Sequence, residues 1–186
     1  MQTRAHVLVT ALRLQQRLRP AILDQGLIPA LRWLVDDAGR RSGMTVDFQC
    51  NTDTVNVDAP VAVAVYRTLQ ESMTNIMKHA RTTKVEVSLV VAPHKLSLEI
   101  ADNGRGIRPA DREKPTSFGL RGMAERATRL GGWLEVSSLA QDQGQASGTV
   151  VFLSLPLQAR LPVDALPAAR HPAADARRNH GLTARP

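Results

Sequence analysis

The 186-residue chain has one cysteine, Cys50, so no internal disulfide can form, and no Cys/His cluster has the spacing of a zinc site. That scarcity fits a reducing compartment. Aromatic residues are 3% of the chain, too few for a platform on which nucleic-acid bases would stack. Long apolar runs are also missing. The stretch MQTRAHVLVTALRLQQRLRP is interrupted by arginines too often for a signal peptide or a membrane span. No G-x-x-x-x-G-K-[ST] motif occurs, which excludes a P-loop, and the glycine pair Gly104/Gly106 is followed at the third required position by Pro109, which excludes a Rossmann fingerprint. The chain is expected in the cytoplasm, although a full-length parent could be anchored in a membrane.

Negative charge is in deficit, with 24 Lys and Arg against 17 Asp and Glu. The location of the excess decides what it implies. Residues 1–45 hold seven arginines and three acids, residues 46–157 hold twelve of each sign, and residues 158–186 hold five arginines and two aspartates. The middle is neutral and has no basic stripe, so no nucleic-acid partner is expected. A polyanion reading of the flanks would require binding that weakens steeply with salt and disappears when residues 158–186 are removed.

At 43% hydrophobic residues, the length suits one compact domain with flanking segments. Residues 158–186, rich in Ala, Pro and Arg and without apolar periodicity, read as a disordered tail. At the other end, VLVTALRLQQRL and GLIPALRWLVDDAGRRSG have helical spacing, the second placing Leu27, Leu31, Leu34 and Val35 on one face and stopping at Gly43. From Met44 the pattern changes to two short β-like runs, TVDFQC and DTVNVD.

A long helix should then open at Asp58 or Ala59 and run through APVAVAVYRTLQESMTNIMKHA. Val65, Leu69, Met73 and Ile76 bury one side of it. Glu71, Asn75 and His79 recur at i, i+4 and i+8, aligning a carboxylate, a carboxamide and an imidazole along another. A magnesium ion takes hard oxygen ligands and keeps several waters, so the Asn75 carbonyl with phosphate oxygens would suffice to anchor it. Glu71 could hold a metal-bound water or accept a proton from an attacking group, and Lys78 is a candidate phosphate contact. A polar helix face with accidental spacing would explain the same row.

After this helix, KVEVSLVVA and KLSLEIADNG alternate as two strands of a hairpin joined by Pro93 and His94. The second strand delivers Asp102 at its end, with Asn103, Gly104 and Gly106 in the following turn. An acceptor-only carboxylate on a pocket floor suits an exocyclic amino group such as that of adenine, and glycines let backbone approach a flat base. Downstream, SFGLRGMAERATRLGG places Gly119 and Gly122 before a helix running to Gly131, a ready phosphate site. The intervening RPADREKPTS has the composition of a lid.

Together, ESMTNIMKHA, DNGRGI, FGLRGMAERATRLGG and GTVVFLSLPL resemble the N box, the two glycine boxes and the final strand of the Bergerat-fold ATPases. Their order and spacing are similar to those of two-component sensor histidine kinases of the nitrate-sensor-like subfamily, over roughly residues 15–157. The resemblance implies a two-layer α/β sandwich, a mixed sheet with helices on one face, preceded by N-terminal helices. Residues 1–43 would be a remnant of dimerisation helices and a linker helix, residues 44–157 the ATP-binding catalytic domain, and residues 158–186 the tail. ATP and Mg²⁺ are the implied cofactors. Asn75 would bind the metal with Glu71 beside it, Glu71 would assist phosphoryl transfer, and Lys78 and His79 would lie near phosphate or ribose. Asp102 would take the adenine amino group, Gly104 and Gly106 would shape the base pocket, and Gly119, Leu120 and Gly122 would form the lid hinge and phosphate turn. Thr149 would support the adenine through Asp102 or a water.

The resemblance implies a histidine kinase that passes the γ-phosphoryl group of ATP to a histidine and signals to a LuxR-type response regulator. Its partners would be dimerisation helices bearing the phosphoacceptor, in cis or in trans, and a weak homodimer is compatible with the short N-terminal segment. No phosphoacceptor is evident, because His6 is followed by Val7 instead of an acid and lies where the second dimerisation helix would run. The linker LDQGL is a residue shorter than usual, and SSLAQDQGQASGTVV carries a longer loop. A non-catalytic ATP-binding interaction module, similar to the anti-sigma factors of this fold, is the alternative.

Overall fold

The structure, a computed structural model, describes residues 20–107, 118–140 and 146–157. The first helical stretch before Pro20, the lid-like segment at 108–117 and the tail at 158–186 lie outside the described residues, as do His6 and the loop at 141–145.

A short 3-10 turn, Ala21–Gln25, leads into α1, Leu27–Ser42, whose buried residues include Leu27, Leu31, Leu34 and Val35. Gly43 ends α1 in the left-handed region and donates its N–H to Gly39 O at 2.9 Å, the stop its sequence promised. Strand β1, Thr45–Cys50, follows. The second expected β run, DTVNVD, is not a strand. The Asn51 side chain explains why: its Nδ2 donates to Val91 O and its Oδ1 accepts from Val91 N, both at 2.9 Å. The side chain thus occupies the position of the next ladder pair and ends the β1–β2 ladder. Val55 and Val57 still pack against the core from the connecting segment.

Helix α2, Ala59–Asn75, opens where the sequence placed it, with Val65, Leu69 and Met73 buried. It does not continue as an α-helix to Ala80. Ile76–Ala80 is a π-turn, closed by Arg81 at φ 53°. Each π-turn residue sweeps a smaller angle than an α residue, so the row Glu71, Asn75, His79 is rotated at its last member.

Strands β2, Lys84–Ala92, and β3, Lys95–Asp102, form the expected hairpin, with Val87 opposite Ile100 and Leu89 opposite Leu98. Helix α3, Phe118–Arg129, precedes β4, Trp133–Ala140, and β5, Ala146–Pro156. Among the described residues the sheet order is β1-β2-β3-β5-β4, with β1 parallel to β2 and the other pairs antiparallel. This is the mixed sheet of the expected two-layer α/β sandwich.

Alternation fixes which face is covered. Val85, Val87 and Leu89 of β2, Leu96, Leu98 and Ile100 of β3, and Val151, Leu153 and Leu155 of β5 are all buried and meet in register. They join the apolar sides of α1 and α2 and Ala127 of α3 in one core. Glu86, Val90, Glu99 and Trp133 remain exposed. Leu98, fully buried at the centre, should cost about 2–5 kcal/mol when truncated to alanine, whereas Val90→Ala should stay within about 0.5 kcal/mol. Urea denaturation of the two variants checks the assignment of faces.

Candidate functional site

Between the end of the sheet and the helical layer lies a cavity of about 480 Å³, a volume within the range of small-molecule sites. Glu71 and Asn75 reach it from α2, Lys78 and His79 from the π-turn, and Asp102 and Gly106 from the end of β3. Gly119 and Leu120 of α3 and Thr149 of β5 complete the set of expected residues found on its wall. Two others are placed differently. Gly104 is buried just behind the wall: a Cβ there would stand 2.2 Å from Ala80 O, so only glycine lets the β3 turn meet the π-turn. Gly122 does not line the cavity; its nearest neighbour is Arg126 Nη1.

Gly119 and Gly122 were also expected ahead of a helix. They lie within α3, which already begins at Phe118. Glycine weakens a helix interior, so close approach rather than turn geometry is the reason for Gly119: a Cβ would come within 2.0 Å of Glu71 Oε1.

Asp102 is 4% exposed. Its Oδ1 accepts from the Gly104 N–H at 2.8 Å, and Thr149, its register partner on β5, supplies both a hydroxyl and an N–H to the carboxyl group. Burial is the strongest influence and raises the carboxyl pKa above its ordinary 3.8, while these three donors pull it back. Gly148, at φ 100°, makes the pairing feasible, since a Cβ there would lie 1.9 Å from Asp102 O. The neighbouring Asn103 faces away from the cavity. Its Oδ1 accepts from the N–H groups of Thr83 at 3.1 Å and Lys84 at 3.0 Å and from the Thr82 hydroxyl, locking the turn to the start of β2.

Several wall residues escaped the sequence reading. Arg105 sits inside DNGRGI, between its two glycines. Its N–H donates to Ala80 O at 2.9 Å and its Nε to His79 O at 2.7 Å, so it fastens the carbonyl end of the π-turn. Ser72 was hidden beside Glu71: it is 2% exposed, and its hydroxyl has no hydrogen-bond partner among the described residues. Ile107, held by Ser138 Oγ through its N–H at 3.2 Å and its carbonyl at 2.9 Å, adds an apolar wall with Ile76 and Val151.

Residues 61–159 match the family described as histidine kinase-, DNA gyrase B- and HSP90-like ATPases, slightly more than half of the chain. The chain belongs to this family. Among its relatives, the oxygen sensor histidine kinase NreB of Staphylococcus carnosus is 33% identical over 77% of this chain and 40% of its own length. The nitrate/nitrite sensor protein NarQ of Escherichia coli is 35% identical over 71% of the chain but only 23% of its own. This chain therefore spans less than half of either relative. The histidine kinase domain of the Erythrobacter litoralis EL346 blue-light activated histidine kinase superposes with a TM-score of 0.55 at 25% identity, covering 70% of this chain and 61% of that one. The resemblance to nitrate-sensor-like sensor kinases agrees with these relatives.

The family is one of ATPases, and the cavity suits such a ligand. Its wall offers a buried acceptor in Asp102, an orphaned hydroxyl in Ser72 and apolar side chains. Lys78, His79 and Arg105 line the same cavity and are exposed. Oxygen ligands of the kind magnesium prefers are present in Glu71 and Asn75, adjacent turns of one helix.

The raised carboxyl of Asp102 has a consequence for stability. The folded chain holds that proton more tightly than the unfolded chain, so stability should fall as pH rises from 3.8 through the raised folded value, then level off. Asp102→Asn should remove that fall, seen in urea midpoints measured from about pH 3 to 8. An unchanged pH profile would contradict the buried carboxyl.

Proposed function

We propose that this chain is the ATP-binding catalytic domain of a sensor histidine kinase, working in two-component signalling. The observation that carries the reading is the convergence of three side chains on one cavity. Glu71 and Asn75 stand at the helix end and Asp102 at the strand end, so one elongated ligand can be held by its base and by its phosphates at once.

Asp102, already saturated on one side by Gly104 and Thr149, presents its remaining acceptor capacity to the exocyclic amino group of adenine. Thr149 fixes that carboxylate in place, and the backbone around Gly106 leaves room for the ring. Lys78, His79 and Arg105 draw the triphosphate toward the mouth by charge or hydrogen bonding, and Leu120 shields it from one side. Asn75 and Glu71 are the residues that would hold magnesium, which when bound neutralises charge on the phosphate oxygens.

Glu71 has the second task. An imidazole nitrogen of the acceptor attacks the γ-phosphorus, a nitrogen–phosphorus bond forms, the bond to the β,γ-bridging oxygen breaks, and ADP leaves. Glu71 can take the proton that the imidazole gives up. The acceptor histidine would come from dimerisation helices, in cis or in trans, and the phosphoryl group would pass to a response regulator of the LuxR type. No helix of the described residues is long and apolar enough to cross a membrane. ATP and response regulators are cytoplasmic, and that is where we place the domain's work.

Asn75→Ala should abolish Mg²⁺-dependent nucleotide binding, and Asp102→Asn should weaken ATP by about 1.5–3 kcal/mol through loss of a charged acceptor. Titration with an ATP analogue, with and without Mg²⁺, reads both. Labelled ATP and a separately expressed helix pair bearing an acceptor histidine then test transfer. Label on the helix pair supports a kinase; binding without transfer to a matched pair favours the non-catalytic interaction module. Unchanged affinity in both variants would remove the site assignment.

A further inference from the structure

Helix α3 carries an arginine that the reading above leaves without a task. Arg126 is half-buried on the helical layer, and its Nε is enclosed without a hydrogen-bond partner among the described residues. A charge is rarely drawn out of water without a reason nearby. Its surroundings give one.

On a helix, residues at i, i+3 and i+7 share a face, and side chains lean back toward the N-terminus. Gly119, Gly122 and Arg126 have this spacing. The Arg126 guanidinium accordingly folds over Gly122, with Nη1 3.4 Å from where a Cβ of that residue would stand. One turn earlier, the Glu71 carboxylate occupies the equivalent place over Gly119: a Cβ there would lie 2.0 Å from Oε1 and 2.8 Å from Cδ. The two glycines therefore form a notch, with a carboxylate from α2 at one end and a guanidinium from α3 at the other.

We propose that Arg126 is a positioning residue for Glu71, holding its carboxylate in the Gly119/Gly122 notch so that it faces the cavity. This rests on the kinase reading for its catalytic meaning and on the notch alone for its physical content. The pairing explains why Gly119 lies inside a helix, where it supplies no turn. It also gives Gly122 a role although it does not touch the cavity.

The electrostatics agree. Burial pushes the Arg126 guanidinium toward losing its proton, and Glu71 is the foremost influence opposing that. Glu125 counts for less, being exposed and engaged by Arg121 at 3.0 Å and Arg129 at 3.7 Å. Arg67, one turn before Glu71 on α2, is a further positive charge near Arg126; its Nη1 donates to Gln70 Oε1 at 2.7 Å.

The test has two readouts on the full chain. In the first, urea unfolding without nucleotide compares the wild type with Arg126→Met, Glu71→Gln and the double variant. A coupled pair predicts that the double variant unfolds at a midpoint near that of the more affected single variant; fully additive shifts would overturn the proposal even if the chain is no kinase. In the second, Arg126→Met should lower transfer to the histidine-bearing helix pair by on the order of tenfold while analogue affinity stays within about threefold, and Arg126→Lys should restore most of the rate. Gly119→Ala, whose methyl displaces Oε1, should lower the transfer rate as Arg126→Met does. Parallel loss of affinity and rate in Arg126→Met, or no loss of rate, would overturn the positioning role. A wild type that binds without transferring would defeat the kinase reading, leaving the unfolding cycle to decide the pair.

Discussion

A carboxylate buried at the end of a sheet is the constraint around which this molecule is arranged. The inward side chains before it on β3 are Leu96, Leu98 and Ile100, and continuing that alternation would put another aliphatic residue where Asp102 stands. Removing a carboxylate from water is unfavourable unless donors replace the water, and here they are supplied by the chain's own connectivity. The antiparallel register sets Thr149 opposite Asp102, and the turn immediately after the strand brings the Gly104 N–H back to its Oδ1. Both solutions need backbone closer than a side chain allows. Gly148 must pass the Asp102 carbonyl, and Gly104 must pass that of Ala80. The acid thus dictates glycines on two separate strand ends.

The same closeness carries the constraint into the helical layer. Since Gly104 rests on Ala80 and Arg105 grips Ala80 and His79 through their carbonyls, the turn after β3 and the end of the α2 segment form one junction. A regular α-helix would use the His79 and Ala80 carbonyls for its own continuation. In the π-turn they are turned outward and meet Arg105 instead, which satisfies acceptors that a helix end leaves open. The junction sets the distance between Asp102 on the sheet and Asn75 on the helix, and so the length of ligand the cavity can hold.

Much of this was legible in the residues. Strict alternation in KVEVSLVVA and KLSLEIAD gave the hairpin and its covered face, and the row of Glu71, Asn75 and His79 marked a candidate site because an ordinary solvated face would more often mix Lys, Glu and Gln. DTVNVD misled for a physical reason: alternation states which side chains would face inward, not whether the backbone finds a strand to pair with, and the Asn51 amide takes the place of the next pair on β2. The π-turn was illegible because IMKHA is compatible with an α-helix, and the deciding partner, Arg105, lies 26 residues from His79. Gly119 and Gly122 were read through their backbone freedom. At Gly119 what counts is the space it leaves for Glu71, which depends on what packs opposite it and is invisible in a local window.

The two acids of the cavity are held in unlike ways, and that difference divides the work of the site. Asp102 is fixed by neutral donors from the turn after β3 and from the paired strand β5, where a small displacement would break several bonds at once. Glu71 projects from a helix into a space bounded by another helix, α3, and feels charges instead of a hydrogen-bonded ladder. Coulombic restraint is broad and tolerates small shifts, whereas hydrogen-bond geometry is narrow. On the proposed reading, a base held at the sheet end can therefore stay in register while the end beside Glu71 adjusts to an incoming group. A displacement of α3 relative to α2 would alter the orientation of Glu71 before it disturbed Asp102, which on the proposed kinase reading makes the α2–α3 contact the place where holding a nucleotide separates from using it.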